Sequence, residues 1–123
     1  MSKLNVPVEK IEAYLTHIKA DYKTFQSRGN GTAIQDEIRD SMYNEFANGL
    51  RYEVGNSYIK VIKTMGSQTM VHSFIVNKQS AAKGKFAIGD ILMAAGWSAP
   101  ATNFARGSVY DESLDRVRWT GVV

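Results

Sequence analysis

Apolar positions Val8, Ile11, Leu15, Ile18, Tyr22 and Phe25 recur at alternating gaps of three and four residues, which puts all six on one stripe of an α-helix from about Pro7 to Ser27. Pro7 suits the first turn, Glu9 and Glu12 sit at the end where the helix dipole favours acids, Lys19 and Lys23 at the end where it favours bases, and Arg28-Gly-Asn-Gly31 supplies a stop. Thr32 followed by Gln35 has the capping-box spacing, and Ile34, Ile38, Met42, Phe46 and Leu50 recur every four residues behind it, predicting a second helix from about Ala33 to Ala47. A connection of four residues between two such stripes favours an antiparallel hairpin, whose shared apolar face needs a sheet to lie on.

From Leu50 the period falls to two. Leu50 to Val54, Ser57 to Met65 and Thr69 to Val76 are rich in β-branched and aromatic residues and are separated by Gly55-Asn56 and Gly66-Ser67, which predicts a three-stranded antiparallel meander with two short turns. Asn77 to Gly84 is small and polar and reads as the most mobile interior loop. Lys85 to Ile88 reads as a short strand, Gly89-Asp90 as a turn, and Ile91 to Ala95 as either a strand or one turn of helix. Val109-Tyr110 and Val117 to Val123 read as edge strands on either side of the acidic turn Asp111 to Asp115. The expected class is therefore α+β: a helical hairpin (residues 1–49) packed on a small, mainly antiparallel sheet (residues 50–123), in one domain.

Composition narrows the chemistry. With no cysteine and only His17 and His72, sulfur-based zinc sites, disulfides and a histidine-rich metal centre are excluded, and no cofactor is expected. No apolar run approaches the length of a membrane span, nor does the N-terminus read as a signal peptide, so no membrane partner and a cytosolic location are expected. The net charge of +3 is unevenly placed: residues 1–55 hold seven Lys and Arg against eight Asp and Glu, residues 56–123 eight against four. The second half thus suits an anionic partner.

The densest local signal is Gly89-Asp-Ile-Leu-Met-Ala-Ala-Gly-Trp-Ser-Ala-Pro-Ala-Thr-Asn-Phe-Ala-Arg-Gly107, where glycines, Pro100 and the rings of Trp97 and Phe104 imply a backbone bent through fixed turns. Gly89, Asp90, Trp97, Pro100, Asn103 and Gly107 are its structural positions: Asp90 accepting backbone N–H bonds, Asn103 capping the turn after Pro100, Trp97 burying its ring beneath the loop. This run resembles a segment found in small, mostly uncharacterised proteins of tailed bacteriophages, the likeness extending over about Leu50 to Val123. The resemblance implies an accessory protein acting in the cytoplasm of an infected bacterium and transfers no catalytic residue.

Nor do the residues themselves announce a reaction. His17 lies between stripe positions and reads as solvated; His72 reads as a satisfied, partly buried strand residue. Asp36 and Asp40 interleave with Arg39 as on a solvated helix face, and Asp111, Glu112 and Asp115 match no calcium loop. Gly84 and Gly89 have half the spacing of a phosphate loop without the Lys-Ser or Lys-Thr that must follow. A non-enzymatic binding protein is expected. The basic and aromatic residues of the second half fit single-stranded nucleic acid, with Lys60, Lys63, Lys83, Lys85, Arg106 and Arg118 as cations and Tyr58 and Phe86 as rings. Arg106 also reads as a loop clamp. The alternatives are a protein-interaction module that presents Tyr14 or Tyr43 from the helices to a host or phage factor, and a homo-oligomeric virion or assembly component.

Overall fold

The two helical stripes are realised as α1 (Val8–Gln26) and α2 (Ala33–Gly49) in a computed structural model that describes residues 4–26, 33–111 and 114–123, without the side chains of 33–36. The Arg28–Gly31 stop, the capping Thr32 with Gln35, the Ile34 side chain and Glu112 lie outside the described residues. On α1 the sealed positions are Ile11, Tyr14, Leu15, Ile18 and Tyr22. Val8 and Phe25, at the two ends of the predicted stripe, run past the covered strip and stay about half exposed, and Tyr14 is inside the core rather than offered to a partner. Among the described positions of the α2 stripe, Phe46 and Leu50 are buried, while Ile38 and Met42 are about half exposed.

The helices run antiparallel. Gln26 Nε2 donates to the Arg39 carbonyl at 2.8 Å, Lys23 Nζ reaches Asp40 Oδ1 at 3.4 Å, and the Tyr22 ring stacks on Phe46 with centroids 4.6 Å apart. Both helices lie on one face of a sheet of order β1 (Arg51–Val54), β2 (Tyr58–Met65), β3 (Gln68–Val76) and β4 (Ile91–Met93), every neighbour antiparallel. The meander therefore forms as patterned, with Ile91 to Met93 resolving as a strand, and the α+β architecture stands. A register shift between Val61 and Ile62 places one extra residue, His72, on β3.

Period two along the strands fills two cores. Ile59, Val61, Ile75 and Ile91 join the helical side, while Phe74, Val76 and Leu92 point the other way and meet Ala81 and Phe86. That outer core exists because the chain after β3 folds back over the sheet. Lys85 to Ile88 is consequently not a strand: residues Ala81–Gly84 make a 3-10 turn in which Ala82, Lys83 and Gly84 all have positive φ, and the reversal drops Phe86 onto Leu92 and Phe74. Nor is Asn77 the start of a loose loop. It is fully buried, accepts from Asn5 N at 2.8 Å through Oδ1, and donates from Nδ2 to the Gly55 carbonyl at 2.9 Å.

The segment 100–109 returns along the far edge of β4. Ile91 N donates to Gly107 O, Arg106 N to Ile91 O, Ala101 N to Met93 O and Val109 N to Gly89 O, all between 2.7 and 2.9 Å. It is an interrupted fifth strand, and Val109-Tyr110, expected as a strand, is instead the turn that ends it. The C-terminal stretch likewise divides into a separate hairpin, β5 (Val117–Arg118) and β6 (Gly121–Val122), whose Trp119 N donates to Asp21 Oδ2 on α1 at 2.9 Å.

Gly89 sits where the chain enters β4, at φ +97°, and a Cβ there would lie 2.5 Å from Tyr110 Cε2. Gly89→Ala is expected to cost about 1–2 kcal/mol from the backbone alone. The half-exposed Tyr110 ring can swing aside, so urea titration should show lowered stability with the fold retained.

Candidate nucleic-acid interface

Between Asn56 and Tyr110 the chain carries Lys60, Lys63, Lys78, Lys83, Lys85 and Arg106 against one carboxylate, Asp90. Asp90 is engaged: its Oδ2 accepts from Ala87 N at 3.1 Å. This stretch includes the layer laid over the outer face of the sheet, where its cations outnumber the acids, with Glu53 standing opposite Lys60 across the β1–β2 ladder.

Two rings project from it. Trp97 occupies the tip of a turn closed by Ala95 N and Gly96 N on the Ala99 carbonyl at 2.9 and 3.0 Å. It is half exposed, against the expectation of a ring buried beneath the loop, because the turn lays the ring over Lys60 on the outer face of the sheet and leaves it uncovered there. Lys60 Nζ on β2 stands 4.4 Å from the Trp97 centroid. Beside this pair, Tyr58 lies edge-on to Phe74 with centroids 6.0 Å apart, and Tyr58, Lys60, Phe74, Glu53 and Ser98 line a cleft of 260 Å³. The second ring is Phe104, also nearly half exposed, with the guanidinium carbons of Arg106 and Arg116 at 3.9 and 5.7 Å.

The cations sort into free and engaged. Lys83 is exposed on the left-handed turn. Lys85 is exposed too, but its Nζ donates to the Thr102 and Asn103 carbonyls at 2.7 and 2.8 Å and so holds the bulge of the 100–109 segment. Arg106 is sealed, with Nη1 on Asn103 Oδ1 and the Phe104 carbonyl, which makes it the clamp of that bulge and takes it away from any surface. Asn103 Oδ1 also accepts from Phe104 N at 3.1 Å, and Pro100 bridges to Ala94, so both hold turns as their types suggest. Gly107, at φ +135°, passes where the segment rejoins β4.

Three of the expected contact residues are inaccessible to a polyanion. Besides Arg106, Phe86 is consumed by the outer core, and Lys63 is buried with Nζ donating to the Thr120 carbonyl at 2.7 Å. Burial pushes the Lys63 ammonium below its ordinary pKa. Arg118 is exposed but lines a cavity with Asp21, Phe25 and Trp119, on the helical side.

His72 and Ser73 are sealed in a structural relay. His72 Nε2 lies 2.6 Å from the Arg118 carbonyl, which can only accept, so this nitrogen carries the proton and Nδ1 accepts from Ser73 Oγ at 2.8 Å. Ser73 in turn accepts from the Tyr14 hydroxyl at 2.6 Å. Burial raises the Tyr14 pKa above its ordinary value and lowers that of His72 to about 4. The relay ties α1, β3 and the β5–β6 hairpin together, with Ser73 out of reach of any substrate. Among the described residues no cluster of His, Asp and Glu could hold a metal ion, and no helix is long and apolar enough to cross a membrane. Neither known protein families, nor curated proteins, nor solved structures yield a match to this chain.

Proposed function

We propose that this chain is a non-enzymatic accessory protein of a tailed bacteriophage that binds single-stranded nucleic acid in the cytoplasm of the infected cell. The observation that supports it is the outer layer: two half-exposed rings, Trp97 and Phe104, each beside a cation, on a stretch whose single carboxylate is turned to a backbone amide. Rings of that kind stack on bases whatever their identity, and Lys60, Lys83 and the one Lys85 N–H not given to a carbonyl supply phosphate contacts along the same layer. Compared with the contact set legible from the sequence, Lys63, Phe86, Arg106 and Arg118 leave the interface and Trp97 and Phe104 enter it.

Fluorescence anisotropy of a labelled oligothymidine tests this. Affinity should fall steeply with salt, Trp97→Ala and Phe104→Ala should each cost about 1–3 kcal/mol, and Lys83→Ala should reduce the salt slope by about one. Binding that ignores salt, or that survives loss of both rings, overturns the reading.

A protein partner is the second reading, favoured by Phe25, Ile38 and Met42, apolar positions toward the end of the helical hairpin where α1 passes to α2, which the fold leaves about half exposed. Recovery of one protein at fixed stoichiometry from nuclease-treated host lysate, lost on Met42→Asp, distinguishes it from the first.

A further inference from the structure

Glu53 on β1 and Lys60 on β2 are direct partners across the ladder, on the outer face of the sheet beside Phe74. Opposite charges so placed ordinarily close on one another. Here each is drawn aside: Glu53 Oε1 accepts from Arg51 Nη1 at 2.7 Å, and Lys60, half-buried, holds its Nζ 4.4 Å from the Trp97 centroid. Among the described residues Glu53 Oε2 has no partner and Lys60 Nζ makes no hydrogen bond. Both side chains line the 260 Å³ cleft, which Tyr58 and Phe74 wall with rings and Asn56 and Ser98 with polar groups. It holds the volume of about nine waters of liquid, room for one planar base.

A carboxylate in a layer that attracts phosphates weakens their binding, so what it suits there is a group that donates. Base edges donate, and they differ in how. Oε2 and the second lone pair of Oε1, steadied by Arg51, present two acceptors, with the Lys60 ammonium as a donor beside them. The Watson–Crick edge of guanine is the complement: N1–H and N2–H donate side by side, and O6 accepts. Adenine and cytosine turn a ring-nitrogen acceptor toward the carboxylate, while thymine and uracil offer one N–H flanked by a carbonyl oxygen that the carboxylate repels. We propose that this cleft reads guanine in a single strand, with Glu53 accepting from N1–H and N2–H, Lys60 donating to O6 and the base lying against Tyr58, an inference that rests on the nucleic-acid reading above.

Fluorescence anisotropy on the full chain compares a labelled thymidine strand with the same strand carrying one central guanine, inosine or adenine. Guanine should bind about tenfold more tightly than adenine, whose purine stacks equally but presents the wrong edge, and inosine, which lacks the N2 amine, should fall between them. Glu53→Gln should bring guanine and adenine within about twofold of each other. The all-thymidine strand should bind that variant more tightly than the native chain, because a negative charge has left the path of the phosphates. Glu53 is exposed and its bond to Arg51 is a surface pair, so the variant leaves the core untouched. Salt-sensitive binding that treats guanine and adenine alike overturns the proposal while the nucleic-acid reading stands, and a guanine preference that persists in Glu53→Gln overturns it too. Failure to bind any of the strands overturns both.

Discussion

Phe46→Ala is expected to lower the unfolding free energy by about 3–5 kcal/mol, a large part of the roughly 5–15 kcal/mol available to a small domain. The reason is where α2 is held. Ile38 and Met42 on its predicted stripe are about half exposed, so the sealed Phe46 is the principal anchor within the helix. Its ring stacks on Tyr22 with planes 12° apart and meets the edge of Trp119 at 6.0 Å, joining both helices to the C-terminal hairpin. Removing it leaves a void between three elements that cannot all close on it. Urea unfolding should show a lower midpoint at an unchanged slope, and the amides of α2 should lose exchange protection before those of β2 and β3. A loss below about 1 kcal/mol would show that α2 is not anchored there.

Acidification should be the second large effect. Burial, the dominant cause, together with the neighbouring Lys63 charge, lowers His72 from 6.5 to about 4, against the opposing pull of the Arg118 carbonyl. Protonation is thus easier in the unfolded chain than in the fold. The stabilisation is complete above pH 6.5 and is lost as pH falls toward 4, by up to about 3 kcal/mol at the lower end. The protonated ring would also have to give up its Nδ1 acceptor role, which breaks the bond from Ser73 and leaves Tyr14 and Ser73 to rearrange. Unfolding free energy measured across this window should fall in the native chain and fall less in His72→Gln, which subtracts the contribution of ordinary carboxylates. Parallel curves for the two proteins would mean that the ring is not held neutral by the fold.

The helices and the meander were legible because their apolar periods of 3.6 and two are local properties of the chain. What escaped depends on contacts far away in sequence. Lys63 alternates like a surface lysine, but its acceptor is the carbonyl of Thr120, supplied by a hairpin at the other end of the chain. Phe86 looks like a ring in a basic strand until the left-handed turn at Ala82 and Lys83, a conformation that neither residue type announces, carries it onto the outer core. Arg106 was partly legible because both its acceptors lie within three residues of it, so the reading as a clamp needed only the local turn. Trp97 departs in the other direction: size and hydrophobicity argue for burial, and only the Ala95–Ala99 turn, which sets the ring against Lys60 on the outer face, leaves it half exposed.

The return of residues 100–109 along β4 also determines how the protein meets its own kind at high concentration. Open strand edges are where like chains zip together into insoluble aggregates, and here one edge is occupied by the chain itself. The opposite edge, β1, is only four residues long and bears an exposed Arg51–Glu53 pair, a poor template for a neighbouring molecule. Cutting the chain after Met93 would uncover a three-residue strand backed by two apolar faces, and the shortened polypeptide should partition further into inclusion bodies than the full chain.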